Sequence, residues 1–301
     1  MTIDSNQLAA FAAVLRQGSF EAAARSLHVT PSAVSQRMKQ LEERIGQVLV
    51  QRTSPCIATD AGKVILKLAE QVALLEAETV RELSSVVGSE RVRVPIVVNM
   101  DSLDSWFLSM TSHMPDDYLI CFDIRVEDQD SSASLLREGA VMAAVTSDPH
   151  PVQGCEVLPL GVMRYLAIAS SDFVRRYFPS GVNANAFGSA PMVIFNRKDS
   201  LQDRYIKQHT SEAVNPPKHC IPSAIGFVEA ASRGLGWCMV PEQLARSGLD
   251  SGRLSEIAPG HFLEVPLYWQ RWRLKSEALE RISIAVQFAA AQSLCALSNK
   301  D

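Results

Sequence analysis

Between residues 5 and 46 the chain carries two capped helix starts and two glycine stops at short intervals, a punctuation that few folds accept. Leu8, Phe11, Ala12 and Leu15 fall at i, i+3, i+4 and i+7, which predicts an amphipathic helix over about 5–16, ended by Gly18. Ser19 caps a second helix from Phe20 to Leu27, whose Ala22, Ala23 and Ala24 let a neighbouring helix approach closely. His28-Val29 leaves room only for a short turn. Thr30 and Pro31 then supply a capping hydroxyl and a proline at the first helical position. The third helix runs to about Ile45, with Val34, Met38, Leu41 and Ile45 on one face and Gly46 after it.

The opposite face of that third helix presents Ser32, Ser35, Gln36, Lys39 and Gln40, side chains able to reach base edges or phosphates. A helix–turn–helix with such a face is built to enter the major groove. A three-helix packing module with a merely solvated face is the alternative. The coincidence of caps, short turn, stops and polar face favours the DNA reader. Charge does not oppose it. With 29 Lys+Arg against 33 Asp+Glu the net charge is -4, which excludes coating nucleic acid by bulk charge. Phosphate neutralisation needs only a local cluster, and Arg37, Lys39, Arg44 and Arg52 supply one.

Residues Phe20 to Glu42 resemble the winged helix–turn–helix of LysR-type transcriptional regulators. Val48-Leu49-Val50-Gln51-Arg52 is similar to that family's first wing strand, and Thr59-Asp60-Ala61-Gly62 to its entry into a linker helix. The resemblance implies that Pro31, Ser32, Ser35 and Gln36 occupy the base-proximal start of the recognition helix. Arg37 and Lys39 flank them, and Arg52 is implied as the wing contact.

From Thr59 to about Val87 the pattern reads as one long helix, with Ile65, Leu68, Val72, Leu75, Thr79 and Leu83 along a heptad-like seam. One helix cannot bury such a seam alone. Either the seam packs on the chain's own body or it pairs with a second copy, and the resemblance implies antiparallel pairing. A two-fold dimer would set two recognition helices about one helical turn, ~34–36 Å, apart on inverted half-sites. Val87-Gly88-Ser89 reads as a hinge.

Beyond it strands and helices alternate, the signature of an open α/β sheet. Strands are expected at 91–99, 118–126, 140–146, 164–169, 192–195, 237–240 and 263–269. Helices are expected at 102–113 and 131–138, from near Leu201 and Ser223, and from about Ser276. The expected fold is α/β overall. It comprises a winged helix–turn–helix over 1–60, a linker and dimerisation helix over 61–88, and an effector-binding domain over 89–301. That domain resembles a periplasmic-binding-protein-like pair of α/β units, one about 91–162 plus 268–301, the other about 163–267.

Ligands in such units sit outside the carboxyl ends of strands and against helix N-termini. Those positions carry the acids Asp101, Asp104, Glu127, Asp128, Asp130 and Asp148, and the hydroxyls Ser102, Thr146 and Ser223, with Asn196 in the second unit. This set complements a small molecule with one carboxylate and a cationic amine. Asp104 and Asp130 read as helix-starting acids favoured by the dipole, whereas for Glu127 and Asp128 that reading and a functional one stand level. The candidate effector set is therefore Asp101, Ser102, Glu127, Asp128, Thr146, Asn196 and Ser223. The segments 99–106, 126–130, 139–146 and Leu267-Tyr268-Trp269 resemble the lysine- and arginine-sensing (ArgP/LysG) branch of the family. That implies control of basic amino-acid export or metabolism genes, double-stranded operator DNA and RNA polymerase as partners, and a homodimer or homotetramer.

Catalysis finds no support. His219-Cys220 are adjacent strand residues facing opposite ways, read as a buried thiol and a surface imidazole. Gly234-Leu235-Gly236-Trp237 lacks the third glycine of a dinucleotide fingerprint and reads as a turn, and Trp106, Trp237, Trp269 and Trp272 read as core or pocket wall. Six scattered cysteines without a Cys-x-x-Cys suggest buried reduced thiols, neither a disulfide framework nor a zinc site. No metal or cofactor is expected. The first residues lack the basic and apolar regions of a secretory signal, and no apolar run reaches the ~18 residues of a membrane span, so the expected location is the cytoplasm without a membrane partner. Two rivals share parts of this pattern. A solute-binding component would share the effector fold, and a nucleoid-type DNA-bending protein of low specificity would share the N-terminal module.

Overall fold

The computed structural model describes residues 2–83, 91–115, 120–127 and 129–297, with side chains at 129–131 left aside. Three helices open the chain: α1 (Ser5–Gln17), α2 (Phe20–Ser26) and α3 (Pro31–Ile45). Each begins where a side chain accepts a free backbone N–H. Asp4 takes those of Asn6 and Gln7, Ser19 that of Ala22, and Thr30 that of Ala33. Asp4, absent from the sequence expectation, is the start signal of α1. Phe11, Val14, Ala23, Val34, Met38 and Leu41 form the small core of the module.

The wing is a two-stranded ribbon, β1 (Val50–Gln51) against β2 (Ile57–Ala58), shorter than the 48–52 strand expected. It is tied down from two sides. Glu42 on α3 accepts from the N–H of Leu49 at 2.8 Å and of Val50 at 3.4 Å. Thr59 donates its hydroxyl to the Val48 carbonyl at 2.7 Å and accepts from Gly62 N–H at 3.0 Å. Helix α4 (Asp60–Leu83) starts there. Its first turn lies so close that a Cβ on Gly62 would stand 2.1 Å from the Leu49 carbonyl oxygen.

Helix α4 corrects the expected seam. Its buried residues are Gly62, Ile65, Ala69, Glu70, Leu74 and Glu78, so one face does pack on the chain's own body. Leu68, Leu75 and Leu83, three members of the expected seam, are exposed together with Val64 and Val80. The 3.5-residue seam thus straddles two faces of the helix. The expected hinge at 87–89 lies outside the described residues.

The effector domain follows, with β3 (Val92–Val98), α5 (Met100–Ser105), a 3-10 turn (Phe107–His113), β4 (Ile120–Val126), α6 (Gln129–Arg137), β5 (Ala143–Thr146) and β6 (Cys155–Ala169). Next come α7 (Ser171–Tyr177), α8 (Ala184–Ser189), β7 (Met192–Ile194), α9 (Leu201–His209), β8 (Lys218–Cys220), α10 (Ala224–Ser232), β9 (Cys238–Pro241) and α11 (Glu242–Asp250). The chain closes with β10 (Ser255–Glu256), β11 (Phe262–Trp272) and α12 (Glu277–Ser293). The seven-stranded sheet runs β10-β6-β11-β5-β3-β4, with β9 on β6, and β7-β8 form a separate parallel pair.

Two strands depart from expectation. The strand placed at 164–169 begins at Cys155, and the one placed at 263–269 reaches Trp272. They pair antiparallel along nearly their whole length and so run through both α/β units. Their register shifts between Leu267 and Tyr268, opposite Gly161, whose φ is 140°. One apolar core runs through both units, from Trp106, Phe107, Trp269 and Trp272 to Phe187, Tyr205 and Trp237, while a second around Val193, Phe227 and Val240 lies within the second unit. All four tryptophans are buried, as core residues. Cys56, Cys155 and Cys238 are buried thiols, but Cys121 and Cys220 are exposed and His219 is half-buried, which reverses the expected burial of that pair. Edge strands leave alternate side chains to solvent, and β8 is short and marginal.

Replacing Gly62 by alanine should destabilise the protein by about 1–3 kcal/mol, because the contact is with backbone and cannot be relieved by a rotamer change. Urea unfolding checks it. An unaltered midpoint would show that the linker helix does not bear on the wing.

Candidate DNA-reading face and effector cleft

Pro31, Ser32, Ser35, Gln36 and Lys39 are all exposed on one side of α3, and Arg37 is half-buried. Ser32 shares a hydroxyl hydrogen bond of 2.9 Å with the capping Thr30. Lys39 meets Glu43 at 3.7 Å, but with both side chains more than half exposed the pair yields readily to a phosphate. The guanidinium of Arg52, just beyond β1, lies over the ring of Phe20 at 4.9 Å. Helix α2 therefore supplies the platform on which the wing arginine rests. Phe20 and Glu42, neither of which was expected to bear on this face, hold the wing against the recognition helix. A carboxylate three residues past the last polar reader was the signal available for Glu42.

In the effector domain the parallel register brings three strand ends together. Val98 lies opposite Val126, which sets Glu127 beside Asn99, and Val97 lies opposite Ala144, which brings Thr146 level with them. In the second unit Ile194 pairs with Cys220, so Asn196 and the Ser223 cap leave from neighbouring strand ends. Helix α5 packs beside α10, α11 and β9, and the two sets of strand ends meet there.

Asp101 and Ser102 occupy the first turn of α5, capped by Asn99, whose Oδ1 accepts from Ser102 N–H at 2.9 Å. The Tyr165 hydroxyl of β6 donates to Asp101 Oδ2 at 2.7 Å. Burial raises the Asp101 carboxyl to about 6, Tyr165 acts in the opposite direction, and the charges of Asp199 and Asp104 add to the rise. Burial and Asp101 also push the Tyr165 phenol well up, so it remains the donor. Beside this pair the Ser102 hydroxyl and the Asn99 amide nitrogen are buried and make no hydrogen bond in the structure. One anchored acid and two donors in want of an acceptor thus share a helix start.

The other candidates are placed differently. Glu127 is exposed, and Asp128 lies outside the described residues. Thr146 is buried, and its hydroxyl accepts from Asp148 N–H at 3.1 Å. Asn196 accepts from the N–H groups of Lys198 and Asp199, shaping the loop that brings Asp199 near Asp101. Ser223 caps α10 through Gly226 N–H at 3.0 Å. Asp148 turns outward to His150, whose hydrogen bonds lower its carboxyl, and so does not face the cleft acids. Asp104 sits past the first turn of α5, so the dipole does not explain it; burial raises it. Sequence reasoning passed over Tyr165, although a phenol inside a buried strand needs a partner, which is a signal in itself.

A wing-bearing DNA reader joined by one long helix to a two-unit α/β domain, with a buried acid and unpaired donors at the start of α5, has the build of a ligand-responsive DNA-binding regulator. The chain belongs to the LysR family of bacterial regulatory helix–turn–helix proteins, whose model matches residues 5–63, with the LysR substrate binding domain over 112–287. It is 49% identical over 288 residues, 96% of this chain and 94% of the relative, to the HTH-type transcriptional regulator LysG of Mycobacterium tuberculosis. The crystal structure of ArgP from that organism superposes with a TM-score of 0.86 at 47% identity, covering 98% of this chain and all of the other. Full-length LysG from Corynebacterium glutamicum with bound effector Arg superposes at 0.76 with 39% identity, covering 97% and 99% of the two chains. A second full-length structure of that regulator gives 0.62 at 37% identity, covering 98% and 100%. The family consists of transcriptional regulators, and this chain is one of them and not an enzyme.

Outcomes at four residues follow from the geometry. Arg52→Ala should weaken operator binding and reduce the salt slope by about 0.9, the loss of one phosphate contact. Glu42→Ala should mimic it while Glu42→Gln, which keeps an acceptor, should not; mobility shifts across a salt series decide. Gln36→Ala should lower specific binding and leave dimerisation and the salt slope intact. For Asp101, the folded carboxyl is raised above its unfolded value of 3.8, so its contribution to stability is greatest below pH 3.8 and falls as pH rises through about 6. At pH 7 Asp101→Asn should therefore stabilise the ligand-free protein, by on the order of 1–3 kcal/mol. Thermal unfolding at pH 4 and pH 7 tests this, since the gain should vanish at the lower pH.

Proposed function

We propose that the chain is a sequence-specific regulator that senses a basic amino acid, lysine or arginine, and controls genes for basic amino-acid export or metabolism. One observation carries the reading. Asp101, held by Tyr165 in a desolvated position, stands beside the unpartnered donors of Asn99 and Ser102 at the start of α5. A buried carboxylate without a cation is costly, and so are buried donors without an acceptor. A molecule bearing both a cationic amine and a carboxylate relieves both at once, and only a basic amino acid brings a second cation for Asp104 and Asp199, whose charges bear on Asp101. The arginine bound by the Corynebacterium relative supports the same ligand class.

The rest of the assignment follows. The effector set also takes in Glu127, Thr146, Asn196, Ser223 and, by its place in the sequence, Asp128, and Pro31, Ser32, Ser35, Gln36, Arg37, Lys39 and Arg52 form the DNA face. The DNA-binding unit spans 1–60, the linker 61–88 and the effector domain 89–301. The register shift at Leu267/Tyr268, opposite Gly161, supports a subdomain boundary near 162 and 267. The exposed stripe of Val64, Leu68, Leu75 and Leu83 on α4 supports pairing of two chains through their linkers, with tetramers built from such dimers. Effector binding shifts the paired DNA modules and so recruits or blocks RNA polymerase. Among the described residues no helix is long and apolar enough to cross a membrane, in keeping with a cytoplasmic regulator.

Calorimetry with L-lysine, L-arginine and L-leucine is the test. Both basic amino acids should bind and leucine should not. Asp101→Asn should lose about ten- to a hundredfold in affinity, the value of one charge-assisted hydrogen bond. Affinity for the wild type should rise between pH 5 and 7 as Asp101 ionises around 6. Equal binding of leucine, or full affinity in the Asn variant, would remove Asp101 from the site.

A further inference from the structure

Helix α4 belongs to two hydrophobic cores at once. Ile65 and Ala69 are buried with Phe11, Leu41 and Leu49 of the DNA-binding module, whereas Leu74 is buried with Val94 and Ile96 of the effector domain, and Ala77 packs there too. Glu70 stands at the changeover and is 7% exposed. Its two carboxylate oxygens go to different domains. Oε1 accepts from Arg16 Nη2 of α1 at 3.1 Å, and Oε2 meets Arg93 Nη1 of β3 at 3.5 Å. Arg93 also pairs with Asp123 on β4, which lies 3.8 Å from Arg125.

Each half of α4 has its own main anchor, with Lys63–Glu138 at 3.2 Å and Ser5–Glu76 at 2.7 Å as further ties across the changeover. Thr59 and Gly62 bind the first half to the wing. The second half is fixed to the effector domain through Glu78, which accepts from Ser276 Oγ at 2.7 Å and Ala278 N–H at 2.8 Å at the start of α12. Lys67 sits against Gly139, where an added Cβ would meet its backbone at 2.5 Å. Apolar contacts on either side of the changeover are non-directional and accept many rotations of one body on the other. A carboxylate with one oxygen committed to each body does not. Burial makes the alternative costly, because a module that rotates leaves a charge without its partner.

We propose that Glu70 is a positioning residue that fixes the orientation of the DNA-binding module on the effector domain, and that the effector's influence on DNA binding passes through this bridge. Glu70 then contributes chiefly to geometry, since apolar replacement of a buried ion pair is often neutral for stability. The second half of the proposal rests on the effector reading above, and the first does not.

The experiment measures orientation and response separately. Spin labels at the exposed positions Gln47 and Asp172, in full-length protein diluted with unlabelled chain, report the distance from module to effector domain by double electron–electron resonance. Glu70→Leu should broaden or displace the distribution while L-arginine binding stays within about twofold, since well-separated sites act independently. The ratio of operator affinities with and without L-arginine should fall below about twofold, from the 5–150-fold typical of such coupling. A distribution as narrow and as centred as the wild type's, or an undiminished ratio, would overturn the proposal. Arg16→Met and Arg93→Met, alone and together, give a second route should the Leu variant not fold. Both break one bridge, so the double variant should be no worse than the singles, and independent additive effects would count against a shared carboxylate. If L-arginine fails to bind wild-type protein, the effector reading falls and the distance measurement still decides the orientation claim.

Discussion

The structure depends on a single helix that completes two cores. Neither the DNA-binding module nor the effector domain closes its apolar surface without α4: Ile65 and Ala69 finish one, Leu74 the other. Two domains that share a rigid element are coupled through it, yet each can still turn about the stretch of helix on which it packs. What remains free is rotation about the changeover. The buried acids of α4 occupy that degree of freedom, Glu70 between two arginines and Glu78 as a cap for α12.

The effector cleft obeys the same economy of charge. Asp101 stands in the first turn of a helix, where the dipole favours its ionised form, and accepts from a phenol that favours it further. Desolvation still prevails and holds the carboxyl near 6. The free protein therefore stores an unfavourable interaction that only a cation removes. In the proposed reading, stability lost to that arrangement reappears as selectivity, because a neutral side chain beside the acid would leave it without a counter-ion.

Local chemistry was legible in the sequence wherever one residue determines one geometry. Ser19, Thr30, Pro31, Gly18 and Gly46 placed helix ends to within a residue or two, since capping and positive φ are properties of single positions. The strand ends carrying Asp101, Glu127 and Thr146 were legible for a similar reason: parallel β/α order alone gathers them at one edge. The crossing strands were not. Periodicity marks where residues are buried, and Cys155–Met163 holds Pro159 and Gly161 within a continuous strand, which local pattern reads as an interruption. Tyr165 and Glu42 each signalled that a partner was needed, but those partners lie 64 and 7 residues away and no local pattern names them.

The linker shows why pattern and partner are separate questions. A seam of Ile65, Leu68, Val72, Leu75, Thr79 and Leu83 was read as one face wanting one partner. At about 3.6 residues per turn Ile65 and Leu83 stand about five turns apart on the same side of α4, so which body lies beside each turn, and not a drift of the seam, separates them. Ile65 falls to the chain's own core, whereas Leu68, Leu75 and Leu83 turn to solvent with Val64. Packing on the chain's own body and pairing with a second copy therefore do not compete. They use different sides of one helix, and the ionic positions 70 and 78 lie on the side turned to the chain itself. A second chain docked on the exposed stripe would meet a helix whose rotation is already set by its own effector domain.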